Sequence, residues 1–405
     1  MTERVVIIGA GQAGAQAAAS LRVEKFDGAI TMIGAETEPP YQRPPLSKAY
    51  LQGALEKSRL YLKPVEFYEK HSIDLRLGVR ASAIDRAAKT VTLEGGEALS
   101  YDKLLIATGA PPRKLKAPGA ELAGIHYLRS IADSDALGPV LKSGERIVIV
   151  GAGYIGLEVA AVARKAGLPV TVLEAMERPL QRVAGPEVSA FYADLHRSAG
   201  VDLRIGAMVA GFEGEGRVRA AVLKDGETIP CGAVLVGVGA APETGLAEAA
   251  GLKVENGVWV DDHARTEDPA IWAAGDVTNH PSALYGRRMR LESVPNAIEQ
   301  GKAAAVNMAG GDMVYDTVPW FWSDQYDVKL QTAGISEGAD ARVVRGAPGE
   351  RKLAVWYLKE GRLLAVDTMN DPPSFLIGKK LIAAKSTPDP KILADSAADL
   401  KSLLS

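Results

Sequence analysis

Two glycine-rich loops constrain the fold of this chain more than any other feature. Residues 9–14 spell GAGQAG, and residues 151–156 spell GAGYIG. Each loop follows a short apolar run and opens an alanine-rich stretch, which is the strand, tight turn and helix context that a dinucleotide-binding loop requires. A single loop of this kind is weak evidence. Two in the same context predict that the chain binds two dinucleotides and transfers electrons between them.

The spacing of the glycines has a steric and an electrostatic basis. The first glycine permits the turn, the second lets the backbone approach a pyrophosphate, and the third lets the helix pack closely on the strand. An acidic residue about 20 positions further on is expected to bind the adenosine ribose. Glu174 closes a predicted strand at 170–173 and fits this role. Glu36 lies slightly late after the strand predicted at 30–33, with Ala35 in the expected position.

Composition narrows the class of protein. At 405 residues, 47% hydrophobic and 24% charged, the chain is long enough for two or three domains. A formal net charge of −3 gives no global reason to expect nucleic-acid binding. We find neither a signal-peptide pattern nor an apolar run near the ~18 residues of a membrane span, so we expect a cytoplasmic protein without a membrane anchor.

The cysteine and histidine content excludes several kinds of redox chemistry. Cys231 is the only cysteine, so a flavin enzyme that works through a protein disulfide or Cys-x-x-Cys pair is excluded. We expect Cys231 to be a core residue. The five histidines show no metal-ligand spacing, and we expect no protein-bound metal.

The order of strands and turns predicts an α/β protein of three domains. An apolar run ending in Thr108-Gly109 closes the first nucleotide unit, and a similar run ending at Gly239 closes the second. The strand before Gly275-Asp276 is expected to return to the first unit, which makes that domain discontinuous. The predicted domains are 1–112 with 245–322, the inserted 113–244, and a C-terminal α+β domain at 323–405 that contains a hairpin near 353–366.

On these features the chain resembles the flavoprotein pyridine-nucleotide oxidoreductases with the glutathione reductase fold. Two further segments, YQRPPLSK at 41–48 and WFWSDQY at 320–326, are similar to signatures of one branch. That branch is the oxygenase-coupled NADH-dependent ferredoxin reductases, a putidaredoxin reductase-like group, and the likeness runs from end to end. It implies two Rossmann-like domains, one for FAD and one for NAD, with the NAD domain inserted in the FAD domain.

The resemblance also implies which residues bind the cofactors. Lys48 is expected near the flavin ring, Asp276 on the ribityl chain, and Glu36 on the FAD ribose. The other residues expected around FAD are Gly9, Gly11, Ala13, Gly14, Ala81, Thr108, Gly109, Arg129, Gly275, Val294 and Trp322.

For the second cofactor, Glu174 is expected on the adenosine ribose, where a carboxylate repels the 2′-phosphate of NADP and therefore favours NADH. Glu158 is expected to point at the nicotinamide ring and to pair with Lys48, and these two residues are the predicted catalytic residues. The remaining residues expected around NAD are Gly151, Gly153, Tyr154, Ile155, Gly156 and Gly239. Arg178 and Arg182 lie close to Glu174 in sequence. Because an arginine near the ribose favours the 2′-phosphate, NADPH is not excluded as a cofactor.

Without protein thiols, a flavin that receives two electrons is expected to pass them singly to a small acidic iron–sulfur ferredoxin, which serves a monooxygenase or a dioxygenase. A basic rim would steer such a partner. The candidate residues are Arg287, Arg288, Arg290, Lys302, Lys379 and Lys380. The alternatives are an NADH-dependent rubredoxin reductase, a quinone reductase and a flavin-based redox sensor.

Overall fold

The computed structural model of the protein describes residues 3–404, except for the side chain of Pro348. These residues form two compact units, each made of several stretches of chain. The first unit contains the chain up to Gln42, Ser58–Pro111 and Ala241–Pro319. The second contains Arg43–Lys57, Pro112–Ala240 and the chain from Trp320 onward.

The described residues form strands and helices in a mixed α/β order. The strands are β1 Arg4–Ile8, β2 Ala29–Gly34, β3 Ile73–Leu77, β4 Ala81–Asp85, β5 Thr90–Leu93, β6 Ala98–Ser100, β7 Lys103–Ile106, β8 Ile125–His126, β9 Ile147–Val150, β10 Val170–Glu174, β11 Asp202–Ile205, β12 Val209–Glu213, β13 Ala220–Leu223, β14 Thr228–Pro230, β15 Ala233–Val236, β16 Val258–Trp259, β17 Ile271–Ala273, β18 Thr278–Ser282, β19 Arg287–Met289, β20 Trp320–Gln325, β21 Val328–Gly334, β22 Ala341–Ala347, β23 Lys352–Lys359 and β24 Arg362–Met369. The α-helices are α1 Gln12–Val23, α2 Val65–Lys70, α3 Ile131–Leu137, α4 Tyr154–Lys165, α5 Pro186–Ser198, α6 Gly245–Ala249, α7 Val294–Met308, α8 Pro372–Ala383 and α9 Pro390–Ala394.

The first unit is built on a five-stranded parallel sheet with the order β17-β7-β1-β2-β3. Its central strands are nearly continuous apolar runs because helices and loops bury both faces of a parallel sheet. Strand β17, which comes from the part of the chain after the second glycine loop, pairs with β7. The predicted return of this strand to the first unit is therefore confirmed. Helices α1 and α7 pack closely, since a Cβ at Gly301 would lie 2.6 Å from the carbonyl oxygen of Ala13.

The second unit contains a parallel sheet with the order β11-β10-β9-β15-β8. As in the first unit, the central strand of the sheet, the apolar β9, leads into a glycine loop and a helix, α4. Small antiparallel sheets lie within each unit, formed by β4-β5-β6 in the first and by β12-β13-β14 in the second. The doubly repeated strand, loop and helix arrangement is the predicted fold class, and it is confirmed.

The C-terminal part of the second unit is an antiparallel sheet with the order β20-β21-β24-β23-β22. The predicted hairpin is present as β23 and β24, joined by a turn at Glu360 and Gly361. Helix α8 covers this sheet. It approaches closely at Gly378, where a Cβ would lie 2.4 Å from a methyl group of Val366.

Candidate functional site

The first glycine loop has a different steric requirement at each glycine. Gly9 has a φ of +118°, and a Cβ there would lie 2.2 Å from the carbonyl oxygen of Ala107. A Cβ at Gly14 would lie 1.9 Å from the carbonyl oxygen of Gly9. At Gly11, by contrast, a Cβ would meet no protein atom within 4 Å. The fold thus requires glycine at positions 9 and 14. Gly11, the second glycine, leaves open space at the N-terminus of α1, where the helix would stabilise a phosphate.

The second glycine loop repeats this pattern. Gly151 has a φ of +101°, and its Cβ would lie 2.4 Å from the carbonyl oxygen of Gly237. The Cβ of Gly156 would lie 2.2 Å from the carbonyl oxygen of Gly151, whereas a Cβ at Gly153 would meet nothing within 4 Å. The open space again lies at a helix N-terminus, that of α4. The residues present therefore fit two dinucleotides.

Glu174 lies at the end of β10, next to the second loop. Its carboxylate accepts one hydrogen bond from the backbone N–H of Ala152 at 2.8 Å and another from the N–H of Met176 at 2.8 Å. Arg178 points away from it, because its guanidinium donates to the carbonyl of Ala184 and to the Ser189 hydroxyl. Arg182 is exposed and contacts the turn at Gly239, where a Cβ would lie 3.3 Å from its Nη2.

Glu36 lies two residues beyond β2 and is partly buried. Its carboxylate accepts a hydrogen bond from the hydroxyl of Tyr41, and its backbone carbonyl accepts one from the N–H of Gly78. The position of this carboxylate is therefore held by a side chain outside the glycine loop.

The turns at Thr108-Gly109 and Gly275-Asp276 both lie against the first loop. The N–H of Ala107 donates to the carbonyl of Ile8, and the Thr108 hydroxyl donates to the carbonyl of Glu243. Gly275 has a φ of +87°, its Cβ would lie 3.1 Å from the Cβ of Ala13, and its N–H donates to the buried Gln300 side chain. Asp276 is thereby placed next to the first turn of α1.

The two other first-unit residues expected around FAD are partly buried. Val294 is the first residue of α7, whose N-terminus is capped by the side chain of Ser293. Ala81 opens β4 and packs against the core beside β1 and β2.

Lys48 and Glu158 lie together in the second unit. Lys48 Nζ is 2.6 Å from Glu158 Oε2, and the side chain of Glu158 is only 5% exposed. The Ser47 hydroxyl donates to the same carboxylate oxygen at 2.5 Å. The other oxygen, Oε1, accepts from the Ser323 hydroxyl at 2.6 Å. The predicted pairing of Lys48 with Glu158 is present, and three donors surround the buried carboxylate.

Strand β20 carries two sets of aromatic and polar side chains, because alternate residues of a strand point to opposite faces. One face contains Phe321, whose ring centroid lies 4.5 Å from that of Tyr154 in the second glycine loop. The other face contains Trp320 and Trp322, whose centroids are 5.5 Å apart. Trp320 also contacts Phe375 of α8. Burial raises the pKa of the Tyr154 hydroxyl well above its ordinary value.

Two further residues expected at the cofactors lie elsewhere in the second unit. Arg129 is partly buried, and its backbone N–H donates to Asp133 in the capping box of α3. Its carbonyl accepts from the guanidinium of Arg43 at 2.6 Å. Ile155 is 45% exposed at the start of α4, beside the open space over Gly153.

The six basic residues predicted at a docking rim differ in exposure. Arg288 is partly buried: its guanidinium lies 3.5 Å over the ring of Trp259 and donates to the carbonyl of Val260. Arg290 is paired with Glu292 at 2.6 Å and donates to the backbone carbonyl of Asp276. The exposed members are Arg287, Lys302 and Lys380, and Lys379 is partly exposed.

Four residues that were not predicted as site residues connect to Glu158 by hydrogen bonds. Ser47 and Ser323 bond to its carboxylate, Gln325 bonds to Ser323, and His196 bonds to Gln325. The first three lie in or beside the two signature segments, so a signal for them existed. His196 is fully buried on α5 and gives no sequence signal, since a lone histidine on the apolar face of a helix is typical of a core residue.

The expectation for Cys231 is confirmed: the thiol is free and buried, and burial raises its pKa to about 11. Among the described residues, the carboxylates of Asp261 and Asp262 and the imidazole of His263 lie close enough to hold a cation. However, both ring nitrogens of His263 are bonded to carboxylates, those of Asp262 and Asp312. The Asp262 contact raises the pKa of His263, so this group is an ion-pair cluster. Across residues 3–404 we find no helix with the length and hydropathy that a bilayer crossing requires.

Comparison with known proteins agrees with this geometry. Residues 3–301 match the family model for pyridine nucleotide-disulphide oxidoreductases, and residues 320–404 match a reductase C-terminal domain. Putidaredoxin reductase CamA of Pseudomonas putida is 43% identical over 408 residues, covering 99% of this chain and 97% of that protein.

The ferredoxin–NAD(+) reductase component of the anthranilate 1,2-dioxygenase system of Burkholderia cepacia is 41% identical over 400 residues, covering 98% of both chains. A solved structure of the covalent putidaredoxin reductase–putidaredoxin complex matches with a TM-score of 0.97 and 42% identity, covering 99% of this chain and 98% of that one. With two glycine loops of matching geometry and these likenesses along its length, the chain belongs to the pyridine nucleotide-disulphide oxidoreductase family.

Proposed function

We propose that the protein is an NADH-dependent ferredoxin reductase that uses FAD and serves an oxygenase. The observation that carries this proposal is the pair of glycine loops, in each of which the second glycine faces open space at a helix N-terminus. The two relatives described above support it, since their names give a putidaredoxin reductase and a ferredoxin–NAD(+) reductase of a dioxygenase system. A cytoplasmic location, where NADH is available, is part of the proposal.

In this proposal the first glycine loop holds FAD. The phosphates would be held at the N-terminus of α1 beside Gly11, the ribityl chain by Asp276, and the ribose by Glu36. When bound, FAD accepts two electrons from NADH and passes them one at a time to an iron–sulfur centre. The remaining FAD-binding residues are those predicted from the sequence, Gly9, Ala13, Gly14, Ala81, Thr108, Gly109, Arg129, Gly275, Val294 and Trp322. The domain boundaries predicted from the sequence are retained as part of the same proposal.

The second loop holds NADH. The carboxylate of Glu174 is fixed by two backbone N–H groups, one of them in the second glycine loop. In this position its negative charge would repel a 2′-phosphate. Arg178 is engaged with the start of α5 and cannot compensate that charge. We therefore propose that NADH is preferred over NADPH. Gly151, Gly153, Tyr154, Ile155, Gly156 and Gly239 complete the site.

Lys48 and Glu158 are proposed as the catalytic pair. Lys48 supplies a fixed positive charge that stabilises negative charge developing on the flavin ring. Glu158, whose side chain is 5% exposed, holds the ammonium group of the partly exposed Lys48 in place. No nucleophile is required, because the redox chemistry belongs to the cofactors.

For the ferredoxin rim we propose Arg287, Lys302, Lys379 and Lys380. Arg288 and Arg290 were also predicted there, but their side chains stack on Trp259 and bind the carbonyl of Asp276. Removing them would therefore disturb the first unit itself. On α8, the two lysines lie about one turn after Leu376, which is 58% exposed. Lys379 Nζ lies 5.2 Å from the ring centroid of Trp320.

Changing Arg287, Lys302, Lys379 and Lys380 together to glutamine tests this rim. We expect the KM for an acidic ferredoxin to rise about fivefold at low salt and to lose its dependence on ionic strength, since exposed rim charges act mainly on association. The rate at which NADH bleaches the flavin is expected to stay unchanged. The matched control is Lys224→Gln, which removes an exposed charge from the β13–β14 turn. A KM that does not move would show that the partner docks elsewhere.

The function itself is tested with a panel of purified acceptors, namely a two-iron two-sulfur ferredoxin, a rubredoxin and a soluble quinone. The proposal predicts rapid NADH-dependent reduction of the ferredoxin and much slower reduction of the others. Preference for rubredoxin or quinone would establish one of the alternative functions, and failure to turn over any acceptor would favour the redox sensor.

A further inference from the structure

A line of hydrogen-bonded side chains leads from the protein surface to Glu158, and the pairing with Lys48 does not account for it. Ser323 and Gln325 share one face of β20, and the Gln325 side-chain N–H donates to the Ser323 hydroxyl at 3.2 Å. Gln325 Oε1 lies 2.9 Å from His196 Nε2, and the hydroxyl of Tyr326 lies 3.3 Å from His196 Nδ1. All of these residues belong to the second unit.

The carboxylate determines the direction of every bond in this line. A carboxylate only accepts, so Ser323 must donate to Glu158 Oε1 and its oxygen is left to accept from Gln325. The amide oxygen of Gln325 must then accept, so His196 carries its proton on Nε2. The remaining nitrogen, Nδ1, accepts from Tyr326. Four groups thus point their donors in one direction, toward the carboxylate of Glu158.

The exposure of the residues in this line is consistent with hydrogen bonds that run from the surface to Glu158. Ser323, Gln325 and His196 are each at most 1% exposed, whereas Tyr326 is 38% exposed at the outer end. Burial lowers the pKa of His196, which keeps the ring neutral and Nδ1 available as an acceptor. Hydrogen bonds that run in one direction through a low-dielectric interior strengthen one another.

We propose that Ser323, Gln325 and His196 are positioning residues that fix Glu158, and through it Lys48, for the reaction with NADH. Oε2 of Glu158 is bound by Lys48 and Ser47, so the Ser323 bond to Oε1 is what sets the rotation of the carboxylate plane. The inference rests on the proposed function for its consequence in catalysis, but the direction of the hydrogen bonds is independent of it.

The direction is tested by ¹⁵N NMR of the holoprotein labelled at its five histidines. The signal of His196 is assigned as the one missing from His196→Gln. We expect a neutral ring with the proton on Nε2, and a mixture of tautomers in Glu158→Leu, which removes the terminal acceptor. A ring protonated on Nδ1, or a tautomer unaffected by loss of Glu158, would overturn the proposal.

The consequence is tested by a double-mutant cycle on flavin bleaching at saturating NADH. Ser323→Ala is expected to slow bleaching about tenfold, the effect of roughly 1.4 kcal/mol. In a Glu158→Gln background the same change is expected to have little further effect, since coupled residues are non-additive. Should Ser323→Ala fail to fold, Gln325→Met breaks the next bond in the line and enters the same cycle.

The matched control is Tyr192→Phe, which removes a buried hydroxyl from the same helix as His196. This hydroxyl has no hydrogen-bond partner among the described residues. It is expected to leave the rate unchanged. Equal effects of Ser323→Ala in both backgrounds would show that the residue acts on the fold alone. An unmodified protein that NADH does not bleach would refute the proposed function, while the NMR result would still stand.

Discussion

The two glycine loops are built alike, but the carboxylates beside them are held differently. In both loops the first glycine has a positive φ and the third would clash with the carbonyl oxygen of the first. Glu174, however, is bound by the N–H of Ala152 within its own loop, whereas Glu36 is bound by the hydroxyl of Tyr41. The shared spacing therefore determines the turn and the phosphate site, and the surrounding fold determines how each ribose is recognised.

The largest effect is expected from the third glycine of each loop. A methyl group at Gly14 or Gly156 would lie 1.9 or 2.2 Å from a backbone carbonyl oxygen, and overpacking of this kind costs about 1–3 kcal/mol. Gly14→Ala should yield protein depleted in flavin, whereas Gly156→Ala should remain yellow but no longer be bleached by NADH. Flavin content and NADH titration separate the two.

The control for this pair is Gly138→Ala, at a position where a Cβ would meet nothing within 4 Å. It is expected to retain both properties. If Gly156→Ala lost flavin while Gly14→Ala stayed yellow but was no longer bleached by NADH, the assignment of cofactors to loops would be reversed.

At the second glycine of each loop the fold imposes no steric demand. A methyl group at Gly11 or Gly153 meets no protein atom, so the thermal stability of the cofactor-free protein should not change. Cofactor affinity should still fall, by about tenfold or more, if a phosphate occupies that space. Gly11→Ala should weaken FAD, and Gly153→Ala should weaken NADH.

Calorimetric unfolding and equilibrium binding measure these two quantities independently. Unchanged affinities in both variants would mean that the open space over the helices is not a phosphate site.

A narrower effect, confined to the choice between NADH and NADPH, is expected at Glu174. Glu174→Arg replaces a charge that repels the 2′-phosphate of NADPH by one that attracts it. The ratio of kcat/KM for NADPH over NADH should rise roughly a hundredfold, since like-charge contacts cost several kcal/mol. Glu177→Arg makes the same change of charge at an exposed position nearby and should leave the ratio unaltered. An unchanged ratio in Glu174→Arg would remove that residue from the ribose.

The sequence predicted the parts of the molecule whose physics is local. Glycine spacing encodes backbone sterics, so both loops, the strands around them and the return of β17 could be predicted. Contacts between residues that are distant in sequence could not be predicted. Nothing in the local sequence shows that Arg288 stacks on Trp259 or that Arg290 binds the carbonyl of Asp276. Likewise, His196 becomes part of a line of donors only because α5 packs beside β20.

The most direct test of the account is an anaerobic titration of the purified protein with NADH, followed by flavin absorbance. We expect a yellow protein that one equivalent of NADH bleaches completely. A colourless protein, or a yellow one whose absorbance NADH does not change, would contradict the claim that the two loops hold FAD and NADH for electron transfer within one chain.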